Sequence, residues 1–114
     1  MFTRVPHHAP SSGDTRTVRF EGADHGSEVS FFLVDNEPGQ GSMLHCHPYS
    51  ETWVVRRGEA EFTVGPETTR AMAGDIVVAA ANVPHRFENV GADPLEMVCI
   101  HPRGRIVQTN IEPS

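Results

Sequence analysis

Apolar and polar residues alternate along most of this chain in short blocks, which turn-forming residues interrupt about every ten positions. This pattern predicts strands joined by tight turns, and no stretch has the spacing of a long amphipathic helix. Many short strands at regular spacing are typical of an all-β, antiparallel sandwich or barrel. The candidate strands are residues 15–20, 28–36, 42–47, 51–58, 59–65, 68–73, 75–80, 85–90, 95–102 and 105–110.

Length and composition bound what the chain can be. Its 114 residues suit one domain. We expect a flexible arm, rich in Pro, Ser and Gly, over residues 1–14, and a single barrel domain over residues 15–114. The formal charge of -6, without a basic stripe, argues against nucleic acid as a partner. No apolar run approaches the about 18 residues that a membrane span requires. Cys46 and Cys99 make no disulfide framework, so we expect a reduced, cytoplasmic protein.

The stretch "SMLHCHPYSETWVVRRG" carries the candidate chemistry. Side chains two positions apart on a strand share a face, so His45 and His47 point the same way. Pro48 ends that strand, because it has no N–H for the sheet. We expect the chain to turn over the next residues and to return as the neighbouring antiparallel strand, with Glu51 at its start beside His47.

A third histidine, His85, follows Pro84 in "NVPHRFEN". A histidine pair alone is more often structural than metal-binding, but burying several ionisable groups on one face without an ion is costly. Three imidazoles and one carboxylate suit a divalent transition ion such as Fe, Mn, Ni, Cu or Zn. We therefore predict one such ion per chain.

The sequence resembles the cupin superfamily in two motifs. The first reads "GQGSMLHCHPYSETWVVRRG" and the second "GDIVVAAANVPHRFEN". Two positions depart from the usual second motif: Ala80 replaces a proline and Asn82 a glycine. Asparagine tolerates a left-handed backbone conformation, so Asn82 is a plausible replacement. The motif positions that match are Gly39, His45, His47, Glu51, Gly58, Gly74, Asp75, Pro84, His85 and Asn89.

The resemblance implies a small double-stranded β-helix, a jelly-roll-like barrel with the ion in its mouth. It also implies that the metal ligands are His45, His47, Glu51 and His85, all of which match the motifs. A homodimer is a further implication, with terminal strands exchanged or packed between subunits. The segment "RIVQTNIE", residues 105–112, is the candidate for that contact.

Other residues are candidates for a pocket around the ion. Trp53 has the parity of Glu51, and Phe87 has the parity of His85. Either alternate set of residues 95–102 fits the pocket, so His101 is either a contact near the metal or an exposed turn residue. Tyr49 and His101 are the candidate catalytic groups. The predicted pocket residues are Met43, Trp53, Phe87 and Cys99, with Phe32 and Met97 as further candidates.

Family resemblance implies several reaction types for such a site. Our leading hypothesis is a metal-dependent enzyme, a dioxygenase, isomerase or lyase, acting on a small oxygen-rich or enolisable substrate. The alternative is a non-catalytic cupin that binds or senses a small molecule. A third possibility, a degenerate barrel without an ion, is disfavoured by four intact ligands. An acid or base beside the ligands would favour the enzyme, and a purely apolar pocket would favour binding.

Overall fold

The computed structural model describes residues 1–6 and 16–111. Ten strands and one short 3-10 helix, Gly22–His25, make up its regular structure there. The strands are β1 (Val18–Phe20), β2 (Ser30–Asn36), β3 (His45–Cys46), β4 (Glu51–Arg57), β5 (Glu59–Val64), β6 (Glu67–Met72), β7 (Ile76–Ala79), β8 (His85–Asn89), β9 (Leu95–His101) and β10 (Thr109–Asn110).

The strands form two five-stranded sheets. One has the order β1-β2-β9-β4-β7 and the other β10-β3-β8-β5-β6, with antiparallel pairing throughout. The predicted all-β, antiparallel, jelly-roll-like barrel is therefore confirmed. The strands predicted over residues 42–47 and 105–110 are much shorter in the structure, two residues each.

Alternation along the central strands explains why the two sheets face each other. In β9 the first, third, fifth and seventh residues are buried, and the residues between them are half-buried. Burying that face against the opposite sheet removes apolar surface from water, the main source of stability here. The buried hydrophobic residues are Val34, Trp53, Val55, Ala60, Phe62, Ala71, Ala79, Phe87, Leu95, Met97 and Cys99.

One prediction about strand pairing is wrong. Glu51 does begin a strand, but β4 is not the hydrogen-bonded neighbour of β3, because the two strands belong to opposite sheets. The chain crosses from one sheet to the other between His47 and Glu51, through the turn that Pro48 begins. The two strands therefore meet face to face across the barrel interior, not edge to edge.

Two turn residues, Asn82 and Gly58, have a positive φ angle, which only a few residue types adopt readily. Asn82 has φ 66°, as its replacement of glycine suggested, and its N–H donates to the carbonyl of His47 at 2.7 Å. Gly58 has φ 84°, and a Cβ there would lie 2.6 Å from the carbonyl oxygen of Pro94. A side chain at Gly58 would therefore meet backbone that cannot move aside.

Most of the predicted arm over residues 1–14 lies outside the described residues, as do His7 and His8. Val5 and Pro6 line a groove on the outer face of the first sheet. His25 is exposed and stacks on Phe20, with ring centroids 5.1 Å apart. Within the described ranges, no helix is long and apolar enough to cross a membrane.

Candidate metal centre

Two of the candidate ligands come from adjacent strands of one sheet. His45 on β3 is the register partner of His85 on β8, and their ring centroids are 4.5 Å apart. Each ring donates its Nδ1–H to a carbonyl two residues earlier in the chain: His45 to Met43 at 2.6 Å, and His85 to Val83 at 3.0 Å. Both rings therefore present the Nε2 lone pair to the barrel interior.

His47 is fixed by a different segment. Its Nδ1–H donates to the carbonyl of Val107, 60 residues later in the chain, at 2.7 Å. This bond also leaves Nε2 as the free ring nitrogen, in a side chain that is fully buried. All three histidines thus have the same tautomer, with Nδ1–H held by backbone, which is the usual arrangement of metal-binding histidines.

Glu51 reaches the three imidazoles from the opposite sheet. Its Oε1 lies 3.0 Å from Nε2 of His47 and 3.0 Å from Nε2 of His85. One ligand atom from each of His45, His47, Glu51 and His85 lies within 4.8 Å of the others, and all four residues are buried. The structure therefore brings the four predicted ligands together.

The chemistry of this cluster fits a cation. With each Nδ1–H already donated, the neutral rings direct lone pairs at an ionised carboxylate, so a proton or a metal ion is needed between them. Nε2 of His47 is buried and makes no geometrically acceptable hydrogen bond within residues 1–6 and 16–111, although Glu51 Oε1 lies 3.0 Å away. Ligand atoms about 2.1 Å from one ion and at right angles to each other are about 3.0 Å apart. That is the separation from Glu51 Oε1 to the Nε2 atoms of His47 and His85.

Burial and neighbouring charges both shift the pKa values of the cluster, and for His47 and Glu51 they act in opposite directions. Burial lowers the pKa of His45, and the neighbouring His85 and His47 add to that effect. Burial also acts against charge on His47, but the Glu51 carboxylate and the hydrogen bond to Val107 together outweigh it and raise the pKa of His47. Burial acts to raise the pKa of Glu51, yet the imidazoles of His101, His47 and His85 hold it well below its ordinary value. A negative carboxylate among neutral rings is the state that binds a divalent ion.

Tyr49 and His101, the candidate catalytic groups, lie beside the four ligands. The Tyr49 Oη and His101 Nδ1 atoms are 2.6 Å apart, and both side chains are buried. Nε2 of His101 lies 3.4 Å from Oε2 of Glu51. Of the two alternatives for His101, the structure has the buried one, because the inward set of β9 ends on this residue.

A cavity of about 350 Å³ extends from the ligands toward solvent. All four predicted pocket residues line it: Met43, Trp53, Phe87 and Cys99. Met43 is 43% exposed, whereas Trp53 and Cys99 are buried. Of the further candidates, Phe32 lines the cavity, while Met97 lies in the core and lines the groove on the other side of its sheet. Burial raises the pKa of the Cys99 thiol well above its ordinary value, so this thiol is neutral.

Sequence reasoning missed several residues of the site. Val107 supplies both the carbonyl that orients His47 and an N–H that donates to Tyr49 Oη at 3.2 Å. No local signal marks such a role, because any residue type has these backbone groups. The sequence also did not indicate the uncharged polar residues of the cavity lining, which are Thr17, Asn36, Ser42, Gln108 and Asn110.

Comparison with known proteins identifies the family. Residues 32–101, more than half of the chain, match the family described as "Cupin domain". The chain therefore belongs to the cupin family, and the resemblance read from its two motifs is confirmed.

Its relatives are diverse. The chain is 28% identical over 81 residues to mannose-1-phosphate guanylyltransferase 2 of Escherichia coli O157:H7, which covers 70% of this chain and 17% of that protein. It is 32% identical over 87 residues to polyketide synthase CurC of Streptomyces cyaneus, covering 75% of this chain and 56% of that protein. An uncharacterized protein of Streptomyces coelicolor is 36% identical over 74 residues, 65% of this chain and 70% of that one. The chain thus spans less than two thirds of both named relatives.

Solved structures of oxalate decarboxylases have the same fold. The Bacillus subtilis enzyme, studied for its Mn(II) centres, matches with a TM-score of 0.82 at 24% identity, over 91% of this chain and 30% of that chain. The Lactobacillus farciminis enzyme, in a formate complex, matches with a TM-score of 0.79 at 21% identity, over 91% of this chain and 33% of that chain. At this level of identity the likeness shows the fold.

Proposed function

We propose that this protein is a metal-dependent cupin enzyme that acts on a small oxygen-rich or enolisable substrate. One divalent transition ion per chain would be held by His45, His47, Glu51 and His85. The observation that carries the proposal is the convergence of these four buried ligands, two of which, His45 and Glu51, line a cavity of about 350 Å³. When bound, such an ion acts as a Lewis acid on a substrate oxygen, or as a site for O2 if it is iron.

The cavity indicates what kind of molecule it takes. Its inner walls are apolar or aromatic, with Phe32, Trp53 and Phe87 around the ligands. Apart from His45, Glu51 and His101, its polar side chains are uncharged amides and hydroxyls. Among the described residues that line it, none is an arginine, and the chain has no lysine. Negative charge on a substrate would therefore be met by the ion, which favours a compact molecule with one chelating oxygen-rich end and an apolar remainder.

The comparisons favour no single reaction within this class. Polyketide synthase CurC and mannose-1-phosphate guanylyltransferase 2 carry different names, and the chain covers only part of each. The Mn(II) centres of the Bacillus subtilis decarboxylase make Mn a natural ion to test beside Fe, Ni, Cu and Zn. Dioxygenase, isomerase and lyase chemistry all use an ion that stabilises an enolate or carbonyl oxygen.

The alternative is a cupin that binds or senses a small molecule without converting it. The largely apolar lining near the ligands supports this alternative. The buried His101 in the same lining supports the enzyme, because it is an ionisable group that is not among the four ligands. The two functions differ in one measurable property, which is turnover.

A solvent-exchange experiment tests the proposal. Protein loaded with each ion in turn would be incubated in D2O with a panel of small keto acids, diketones and hydroxy acids, and deuterium at the α carbon would be followed by ¹H NMR. Parallel oxygen-electrode runs on the iron form would detect dioxygenase turnover. We expect exchange or oxygen consumption that is lost in a His45→Ala, His85→Ala double variant. Binding of panel members without exchange, oxygen uptake or product would instead support the binding protein.

We also infer that two copies of the chain associate through the outer face of the β1-β2-β9-β4-β7 sheet. The strand register aligns two apolar rows across all five strands. Ile76 and Val78, at one edge, are 63% and 61% exposed. The rows are Val18, Leu33, Val98, Val54 and Ile76, and Phe20, Phe31, Ile100, Thr52 and Val78.

The size and charge of this face suit a second copy. Four spacings of about 4.8 Å between five strands make each row about 19 Å wide, about two thirds of the about 28 Å across of a standard interface of about 800 Å² per partner. The charged residues at its rim have both signs, so two identical faces can meet without a surplus of like charge. Those rim residues are Arg16, Asp35, Arg56 and Glu96.

Two further expectations stay predictions. Exchange of the segment over residues 105–112 between subunits is one; in this structure β10 pairs with β3 of the same chain. The cytoplasmic location is the other, and the two cysteines, both free thiols, support it because a reducing compartment keeps thiols free.

A further inference from the structure

The two oxygens of the Glu51 carboxylate have different surroundings. Oε1 lies 3.0 Å from Nε2 of both His47 and His85. Oε2 lies 3.4 Å from Nε2 of His101, a residue that is not part of the four-ligand cluster. One oxygen thus faces the ligands and the other faces a fourth, fully buried histidine.

The contacts of Tyr49 decide which His101 nitrogen has the proton. The N–H of Val107 donates to Tyr49 Oη at 3.2 Å, so this oxygen already accepts one bond. The phenolic O–H needs an acceptor, and Nδ1 of His101 is 2.6 Å away. With Tyr49 donating to Nδ1, the ring proton lies on Nε2, which points toward Oε2 of Glu51.

The opposite tautomer is unfavourable. If His101 donated Nδ1–H to Tyr49, its Nε2 lone pair would face the lone pairs of an ionised carboxylate in a buried site. Nε2 of His101 has no other hydrogen-bond partner among the described residues. An unpaired buried polar atom of this kind is costly, and closing the 3.4 Å gap to Glu51 by a few tenths of an ångström would satisfy it.

We propose that His101, oriented by Tyr49, is a positioning residue that holds Oε2 of Glu51, so that only Oε1 binds the ion. This inference rests on the proposed metal centre. Binding through one oxygen would make Glu51 a single ligand, so that with three imidazoles the protein would supply four donor atoms and leave the other positions of the ion to substrate. Without the donor on His101, the carboxylate can rotate and bind through both oxygens, which removes one of those positions.

The test compares Mn(II) binding and the Mn(II) EPR spectrum in four proteins besides the parent. His101→Leu removes the donor, and His101→Gln retains an amide N–H near the place of Nε2. Tyr49→Phe removes the hydroxyl that selects the tautomer. Phe62→Leu is the matched control for lost packing, because Phe62 is fully buried and is not among the residues that line the cavity. The EPR signal of unbound Mn(II) gives the free Mn(II) concentration and so the affinity. The zero-field splitting of bound Mn(II) reports how the carboxylate coordinates.

We expect His101→Leu to weaken Mn(II) binding by about 10- to 100-fold, the usual effect of losing a partner of a metal ligand, and to change the zero-field splitting. Tyr49→Phe should change both in the same direction but by less. His101→Gln should stay close to the parent, and Phe62→Leu should lower thermal stability without changing the spectrum.

Three results would overturn the inference in distinguishable ways. Parent-like affinity and splitting in His101→Leu would show that His101 does not position Glu51, while leaving the metal centre intact. Complete loss of Mn(II) binding in both His101 variants would make His101 a ligand. A parent that binds none of Fe, Mn, Ni, Cu and Zn would overturn the metal centre itself, and this inference with it.

Discussion

His45 and His85 lie directly opposite each other on neighbouring antiparallel strands, 40 positions apart in the chain, with ring centroids 4.5 Å apart. Each ring donates to a carbonyl two residues before it, so the orientation of each imidazole is set by its own local segment of chain. The pairing of β3 with β8 then brings the two oriented rings together. The metal-binding geometry thus depends on one register between two strands.

Removing both of these histidines should abolish metal binding. We expect about one transition ion per chain in untagged parent protein, by elemental analysis after reconstitution, and none in the His45→Ala, His85→Ala double variant. His25→Ala is the matched control, because His25 is exposed and is not in the cluster. A parent without metal after reconstitution with each ion would contradict the prediction.

Asn82 should tolerate glycine better than alanine. Its φ of 66° lies in the left-handed region, which costs most L-residues about 1–2 kcal/mol but costs glycine little. We therefore expect Asn82→Ala to lower the free energy of unfolding by about 1 kcal/mol relative to Asn82→Gly. Urea unfolding monitored by the single tryptophan, Trp53, would measure the difference. Equal stability of the two variants would mean that this turn changes conformation freely.

Glu51 should make the free energy of unfolding of the metal-free protein decrease as the pH falls into the acidic range. Although burial opposes ionisation, the imidazoles of His101, His47 and His85 hold the pKa of Glu51 well below its ordinary value. A lowered folded-state pKa stabilises the fold above the unfolded-state pKa of about 4.3, and that contribution is lost as the pH falls toward the folded-state value.

Between about pH 6 and about pH 3.5, the parent should therefore lose more free energy of unfolding than Glu51→Gln does. Both proteins would be freed of metal with a chelator and unfolded in urea at each pH. The other carboxylates contribute equally to both, so the difference reports Glu51 together with the imidazoles coupled to it, above all His47, whose pKa Glu51 raises. Parallel pH profiles of the two proteins would show that Glu51 does not ionise preferentially in the folded state.

Substituting charged residues for apolar residues on the outer face of this sheet should dissociate the proposed dimer. We expect the parent to have twice the chain mass by light scattering after size exclusion, and an Ile76→Glu, Val78→Glu variant to be monomeric. Met72→Glu is the control, because Met72 is 58% exposed but lies on β6 in the other sheet. A monomeric parent, or a double variant that remains dimeric, would contradict the assignment of this face.

The local sequence determined most of the strands and much of the site. Alternation with a period of two fixed which side chains of β9 share a face, and Pro48 kept the strand that begins at His45 from continuing. These signals are available because side-chain direction along a strand follows from the backbone of that strand alone. The same argument, with two quoted motifs, sufficed to select the four residues that the structure brings within 4.8 Å of one another.

Only the tertiary structure decided where those faces meet. The alternation of side chains along a strand could not show which sheet contains the strand that begins at Glu51. It also could not show whether His101 is buried or exposed. Both depend on contacts between residues far apart in the chain. The backbone carbonyl of Val107, 60 residues later in the chain, orients His47. No side chain in the sequence indicates this contact. Pairing between strands is a long-range choice governed by packing of the whole barrel, whereas the direction of each side chain is a local property of its strand.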